Sequence, residues 1–253
     1  MVFNKLTNLI LFPIYHLIHR NVILGFLHKK FINSFNYKNY KFFLDERFIP
    51  LKNYSSFLFK TYEYNDRALV ERNLDTRNKC IIIGGGIGFI ATLAYKLSKN
   101  DIIIFEINKK LIPTLKKNLK VNNCRFKLLS NNLTIKSKEK IKSFYLSKDF
   151  LDTSSKTKTE KKIDVKNIDY KKIDKDRSYN TLIIDAEGDE EYYIKSLKNL
   201  KNIKFIYFEL HYNIFNKDQI ENLMKLLKKN NFILRDKCFN SFYFSKGVSK
   251  WKL

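Results

Sequence analysis

Apolar residues in this chain gather into short unbroken runs separated by longer amphipathic stretches. The runs Cys80-Ile81-Ile82-Ile83, Ile102-Ile103-Ile104-Phe105 and Thr181-Leu182-Ile183-Ile184 have the length and composition of strands buried on both faces. Further strands are predicted at residues 125–129, 203–210, 232–235 and 241–244. Helical spacing of apolar positions fills residues 89–97, 111–121, 190–200 and 217–229 between them. Strand and helix alternate, which is the pattern of an α/β fold with a doubly wound, mostly parallel sheet of seven strands.

Two regions depart from that rhythm. Residues 135–179 carry two strand-like segments, 142–147 and 162–168, joined by a Ser/Thr/Lys-rich run at 153–162 expected to be a loop. An inserted β-hairpin of this kind commonly shapes a substrate site. The other departure is the N-terminal region, an extension expected over residues 1–60 ahead of a main domain at 61–253. Residues 35–60 suggest irregular strands, and residues 66–74 a helix with Asp66 as its N-cap. Residues 6–20 are apolar but interrupted by Pro13, His16, His19 and Arg20, so they fall short of a membrane span. No small-residue cleavage site follows, which argues against a secretory signal. Two readings stay open: a helix packed on the main domain or another subunit, or an interfacial helix at a membrane surface aided by His28, Lys29 and Lys30. The three N-terminal histidines lack metal-ligand spacing and are expected to be structural.

Four of the seven glycines, Gly84, Gly85, Gly86 and Gly88, follow the first buried strand directly. A strand passing through bare backbone into a helix exposes N–H groups and leaves room for a nucleotide-like group. The second strand ends at Glu106, about twenty residues on, where a carboxylate can accept both hydroxyls of a ribose. An adenosine-containing cofactor is therefore expected, with Gly84, Gly86, Gly88 and Glu106 as its binding residues. The loop itself is ambiguous. Gly86, Gly88 and Ala91 satisfy the dinucleotide pattern, while Gly84, Gly86 and Gly88 satisfy that of S-adenosylmethionine binders.

Composition changes this picture little. A hydrophobic content of 44% supports a full core. The net charge of +24 accompanies abundant Lys, Asn, Ile, Phe and Tyr with few Ala, Gly and Pro, the profile of an AT-rich coding sequence with a solvated lysine surface. Arginines are scattered, without the clustering that reads bases. Cys80, Cys124 and Cys238 show no paired spacing, which suits a reducing compartment.

Several segments together resemble the FkbM family of methyltransferases. The glycine run Ile82 to Phe89 is similar to that family's first motif, and Phe105 to Asn118 with Asn122, Asn123 and Cys124 to its second-strand region. Asp185, Glu187, Gly188 and Glu190 resemble its acidic D-x-E-G-x-E motif, and Glu209 and His211 its E-x-H. Tyr62 and Glu63 resemble a Tyr-Glu found ahead of the domain. One departure stands out: Ile82 occupies a position, two before the first glycine, that is usually acidic in the family and helps hold the cofactor's amino-acid end.

This resemblance implies a class I, Rossmann-like fold and transfer of a methyl group from S-adenosylmethionine to oxygen, usually on a sugar or polysaccharide-related acceptor. It adds Glu63 to the cofactor-binding candidates and makes Asp185 and His211 the catalytic candidates. Asp185 is open to three roles: general base, cofactor hydrogen-bond partner, or ligand of a divalent cation with Glu187. The structural alternative is that Asp185 and Glu187 cap the following helix. The ordinary pKa of histidine suits His211 to proton transfer at neutral pH. Two other functions are weighed: an NAD(P)-dependent oxidoreductase on the same loop, and a basic nucleic-acid methyltransferase. The first lacks a visible hydride-site constellation. The second lacks arginine clusters and the [DN]-P-P-[YF] motif, since Pro13, Pro50 and Pro113 are the only prolines. A nucleic-acid partner is thus disfavoured, and the expected location is cytoplasmic, with peripheral membrane contact left as one of the two readings of the N-terminus.

Overall fold

The computed structural model describes residues 22–31, 33–135, 137–146, 153–156 and 161–247. The expected apolar helix at 6–20 lies outside them. The chain divides into two compact units, residues 1–64 and 65–253.

In the first unit, helix α1 (Val22–Phe31) precedes a hairpin of β1 (Ser34–Tyr37) and β2 (Tyr40–Phe43) and then helix α2 (Leu51–Leu58). Its core is aromatic, with Phe35 stacked on Phe42 and Phe57 at centroid distances of 5.1 and 4.8 Å. The strands expected after residue 35 thus give way to a helix at 51, where Pro50 supplies the N-cap position. Helix α3 (Tyr64–Asn73) crosses into the second unit. Asp66 lies in its first turn rather than at its cap, favourably placed for the helix dipole.

The second unit is built on a seven-stranded sheet. Its strands are β3 (Cys80–Ile83), β4 (Ile102–Phe105), β5 (Phe126–Leu129), β10 (Thr181–Ile184), β11 (Phe205–Glu209), β12 (Phe232–Cys238) and β13 (Ser241–Lys246). Across the sheet they run β12-β13-β11-β10-β3-β4-β5, and β13 alone runs against the direction of the other six. This is the doubly wound, mostly parallel α/β architecture expected. β3, β4 and β10 are buried at every position, which is why their sequences are continuous apolar runs. The helices are α4 (Phe89–Ser98), α5 (Ile112–Val121), the short α6 (Tyr170–Ile173), α7 (Glu190–Ser196, continued as a 3₁₀ turn) and α8 (Lys217–Lys229). Ile206, Phe208, Leu223 and Leu227 join one buried cluster on the α7–α8 side of the sheet.

Residue 132 onward differs from a simple hairpin. β6 (Asn132–Thr134), β7 (Ile141–Leu146), β8 (Thr153–Ser154) and β9 (Lys161–Asp169) form a second sheet in the order β6-β9-β7-β8. The antiparallel β7–β9 pair is the expected hairpin. The segment expected as a loop contributes β8, and β6 adds to β9 in parallel. No helix among the described residues is long and apolar enough to cross a membrane.

Helix α8 begins with a full capping box. Asn216 Oδ1 accepts from Gln219 N at 2.9 Å, and Gln219 Oε1 accepts from Asn216 N at 3.0 Å. Asn216→Ala is expected to cost about 1 kcal/mol, lowering the melting temperature by ~2–4 °C in a thermal scan.

Candidate functional site

Strand register brings the site together. Ile83 is paired with Phe105 and with Ile184, and Ile184 with Phe208. The next residue of each strand is therefore level with the others: Glu106, Gly84, Asp185 and Glu209 form one row across four neighbouring parallel strands. Backbone hydrogen bonds extend the ladder by that one residue, from Gly84 N to Phe105 O at 3.0 Å and from Asp185 N to Ile83 O at 2.9 Å. The sheet's winding reverses between β3 and β10, so the row sits at the carboxyl edge where doubly wound sheets open a crevice.

The glycine turn is tightly held. Gly84, Gly86 and Gly88 have φ of +88°, +50° and +89°, a region glycine enters freely. At Gly84 there is a second reason: a Cβ would lie 1.9 Å from the Asp185 carbonyl oxygen. The turn on β3 and the end of β10 are thus in backbone contact.

Glu106 faces this turn and is 5% exposed. Its Oε2 accepts from Gly86 N at 2.8 Å and its Oε1 from Asn108 N at 2.7 Å. Burial raises its pKa to about 7 against the pull of those N–H donors. The carboxylate therefore organises the loop, drawing also on the backbone N–H groups of Gly85 and Ile107. Glu63, the other acidic candidate, belongs to the first unit at φ +46°. Ile82 is 1% exposed within β3, so that strand position offers no charge to a ligand.

At the other end of the row lies an acidic cluster around one imidazole. His211 Nδ1 is 3.1 Å from Glu190 Oε1, and its Nε2 is 3.1 Å from Glu187 Oε2 and 3.7 Å from Asp185 Oδ1. Burial alone would lower the His211 pKa. Hydrogen bonds to Glu187 and Glu190 and the charge of Asp185 instead push it up to about 12. The surrounding carboxylates, rather than the ordinary pKa of histidine, therefore set the protonation of His211, and they favour the imidazolium. Asp185 shifts the opposite way for a carboxylate that is to stay charged: burial, then Glu209 and Glu187, raise its pKa well above the ordinary value, and His211 opposes them. Its Oδ1 is buried without a hydrogen-bond partner among the described residues.

The capping alternative for Asp185 and Glu187 also fails. The N-cap position of α7 is Asp189, with no side-chain cap bond. Glu190 secures the turn, accepting from Ala186 N and Gly188 N at 3.2 Å each while it also meets His211. Glu190 was visible as the last acid of the D-x-E-G-x-E run, but only the structure brings it to His211, 21 residues away. Asp189 was also missed. It binds Lys142 Nζ at 2.6 Å and Ser155 Oγ at 2.5 Å, and Ser154 Oγ donates to Glu187 O at 2.5 Å, so β7 and β8 brace the acidic turn.

Asp185, Glu209 and His211 place ligand atoms within 4.8 Å of one another. Glu187, the partner of Asp185 in the cation-ligand alternative, is outside that trio. The imidazolium already supplies a positive charge among these carboxylates, and a metal would have to displace its proton.

No protein-family model and no curated protein matches the chain. Solved structures do. A methyltransferase from Pyrococcus furiosus is 12% identical with a TM-score of 0.45, the match covering 90% of this chain and 97% of that one. TYW2 from M. jannaschii, solved in complex with AdoMet, is 14% identical with a TM-score of 0.45 over 85% of this chain and 86% of that one. The ribosomal protein L11 methylase from Lactobacillus delbrueckii subsp. bulgaricus is 13% identical with a TM-score of 0.42 over 72% and 77%. At this distance none of them assigns an activity to this chain.

Proposed function

We propose that this chain is an S-adenosylmethionine-dependent O-methyltransferase. The observation that supports it most is the row of Glu106, Gly84, Asp185 and Glu209 at the sheet's switch point, with the glycine turn and Glu106 on one side of that point and Asp185 and Glu209 on the other. When bound, the cofactor supplies a methyl group already activated on a sulfonium. The protein then has to hold the nucleoside, align an acceptor and remove its proton.

In this reading the turn carrying Gly84, Gly86 and Gly88 receives the nucleoside, and Glu106 accepts the ribose hydroxyls. Asp185 takes the acceptor's hydroxyl proton: its raised pKa makes it a stronger base than an ordinary carboxylate. His211 is a positioning residue that acts through Asp185 and Glu187 by supplying a fixed positive charge. The acceptor is a sugar hydroxyl and the family FkbM, both on the strength of the motifs. With no acid at Ile82, other groups must meet the cofactor's amino-acid end.

Calorimetric titration with S-adenosylhomocysteine and with NADH separates this reading from a nicotinamide-dependent one. Binding of the first and not of the second is expected. The raised Glu106 pKa gives the interaction a signature. As pH falls through about 7 the carboxylate gains a proton and loses one acceptor function, so affinity should weaken. Glu106→Gln should weaken binding roughly tenfold or more at pH 8 and abolish that pH dependence. NADH binding without S-adenosylhomocysteine binding would overturn the proposal.

A further inference from the structure

Helix α1 (Val22–Phe31) holds an apolar strip in solvent. Val22, Ile23 and Phe26 are 56, 74 and 57% exposed. Spacings of three and four residues set them side by side on adjacent turns. Another side of the helix is occupied, since α1 packs against α2 within the first unit and Gly25 is buried. Single apolar residues scattered over a surface need no explanation, but a contiguous group on one helix does.

Charge accompanies this strip. The first acidic residue of the chain is Asp45, so residues 1–44 carry Lys5, Arg20, Lys29, Lys30, Lys38 and Lys41 without one Asp or Glu among them. Lys29 and Lys30 fall in the last turn of α1. The first two acids are themselves engaged, Asp45 by Arg47 at 2.7 Å and Glu46 by Lys29 at 3.8 Å.

We propose that α1 docks this strip on an anionic lipid surface, its three apolar side chains entering the boundary between headgroups and acyl chains and the basic residues meeting lipid phosphates. Apolar turns that end in lysines are the composition of a helix lying in a bilayer interface. A polyanion such as RNA would answer the charge and leave the apolar strip in water. A second copy of the chain would cover the strip but bring like charge against like. An anionic bilayer satisfies both, each basic residue near its surface adding to the attraction. Of the two readings of the N-terminal region this is the interfacial one, carried by α1 itself, and it does not depend on methyl transfer.

The test is co-sedimentation of the full chain with vesicles of equal parts phosphatidylglycerol and phosphatidylcholine, and with vesicles of phosphatidylcholine alone. The first should be bound, the second about tenfold or more weaker, and binding to the first should be lost at roughly 1 M salt. Ile23→Ser with Phe26→Ser should weaken it about tenfold or more. Val121→Ser with Ile141→Ser, a matching loss at exposed apolar positions of the second unit, should leave it unchanged. Circular dichroism checks that both variants keep the wild-type fold. The proposal fails if the chain does not pellet with the anionic vesicles, if it binds neutral vesicles as tightly, or if both double variants bind like wild type. It also fails if Ile23→Ser with Phe26→Ser turns a dimer into a monomer without changing vesicle binding, which would give the strip to a second copy. None of these outcomes bears on S-adenosylhomocysteine binding, so the methyltransferase reading stands or falls separately.

Discussion

Gly84→Ala is expected to cost on the order of 4 kcal/mol or more, lowering the melting temperature by roughly 8–16 °C. Two penalties coincide at this position. Its φ of +88° disfavours any side chain, and the added methyl would sit 1.9 Å from the Asp185 carbonyl oxygen. That oxygen is backbone of a buried parallel ladder and cannot swing aside. Neighbouring glycines make the comparison. Gly247 has φ +119° but open space around it, so Gly247→Ala carries only the conformational cost, about 1 kcal/mol. Gly85→Ala would press on the side-chain ends of Ile104 and Leu115, which can shift, and should fall between the two. Thermal unfolding of the three variants checks the order. If Gly84→Ala melts with Gly247→Ala, the two strand ends are not in the contact described.

Methyl transfer by Asp185→Asn should fall by about 10²–10⁴-fold, the usual contribution of a positioned base, while S-adenosylhomocysteine binding stays near wild type. Stability should not fall with it. A carboxylate whose folded pKa is raised stabilises the fold below its ordinary pKa and loses that contribution as pH climbs through the raised value, so its ionised form is strained. Asparagine removes the charge that Glu209 and Glu187 oppose. Full turnover in this variant would rule Asp185 out as the base.

His211→Gln gives a complementary readout, because the imidazolium lowers the Asp185 pKa. Without it the acid limb of the rate profile should move to higher pH. The wild-type protein should also lose stability between about pH 6.5 and about pH 12 as His211 sheds its proton, a loss His211→Gln cannot show. A variant with an unshifted limb would mean that His211 does not act through Asp185.

Much of the architecture was legible in the sequence because a central parallel strand has to be apolar throughout. The runs ending at Ile83, Phe105 and Ile184 announced strands, and the glycines after Ile83 announced a turn at which a ligand can approach. Errors arose where local preference yields to context. The aromatic stretch at 35–60 reads as irregular strands, and β1 and β2 form there, yet residues 51–58 are helical because their apolar side packs within the first unit. The polar run containing Thr153 looked like a loop, yet β8 forms because β7 offers a free edge.

The site divides along the same line. The types and order of its groups, from Gly84 and Glu106 through Asp185 to His211, are properties of the chain, since strand ends in a doubly wound sheet converge wherever the strands lie in sequence. Their charge states are not. Nothing along the chain says that Glu190 reaches His211. The protonation of an imidazole is decided by which carboxylates surround it and how far water is excluded, and only tertiary packing assembles those neighbours.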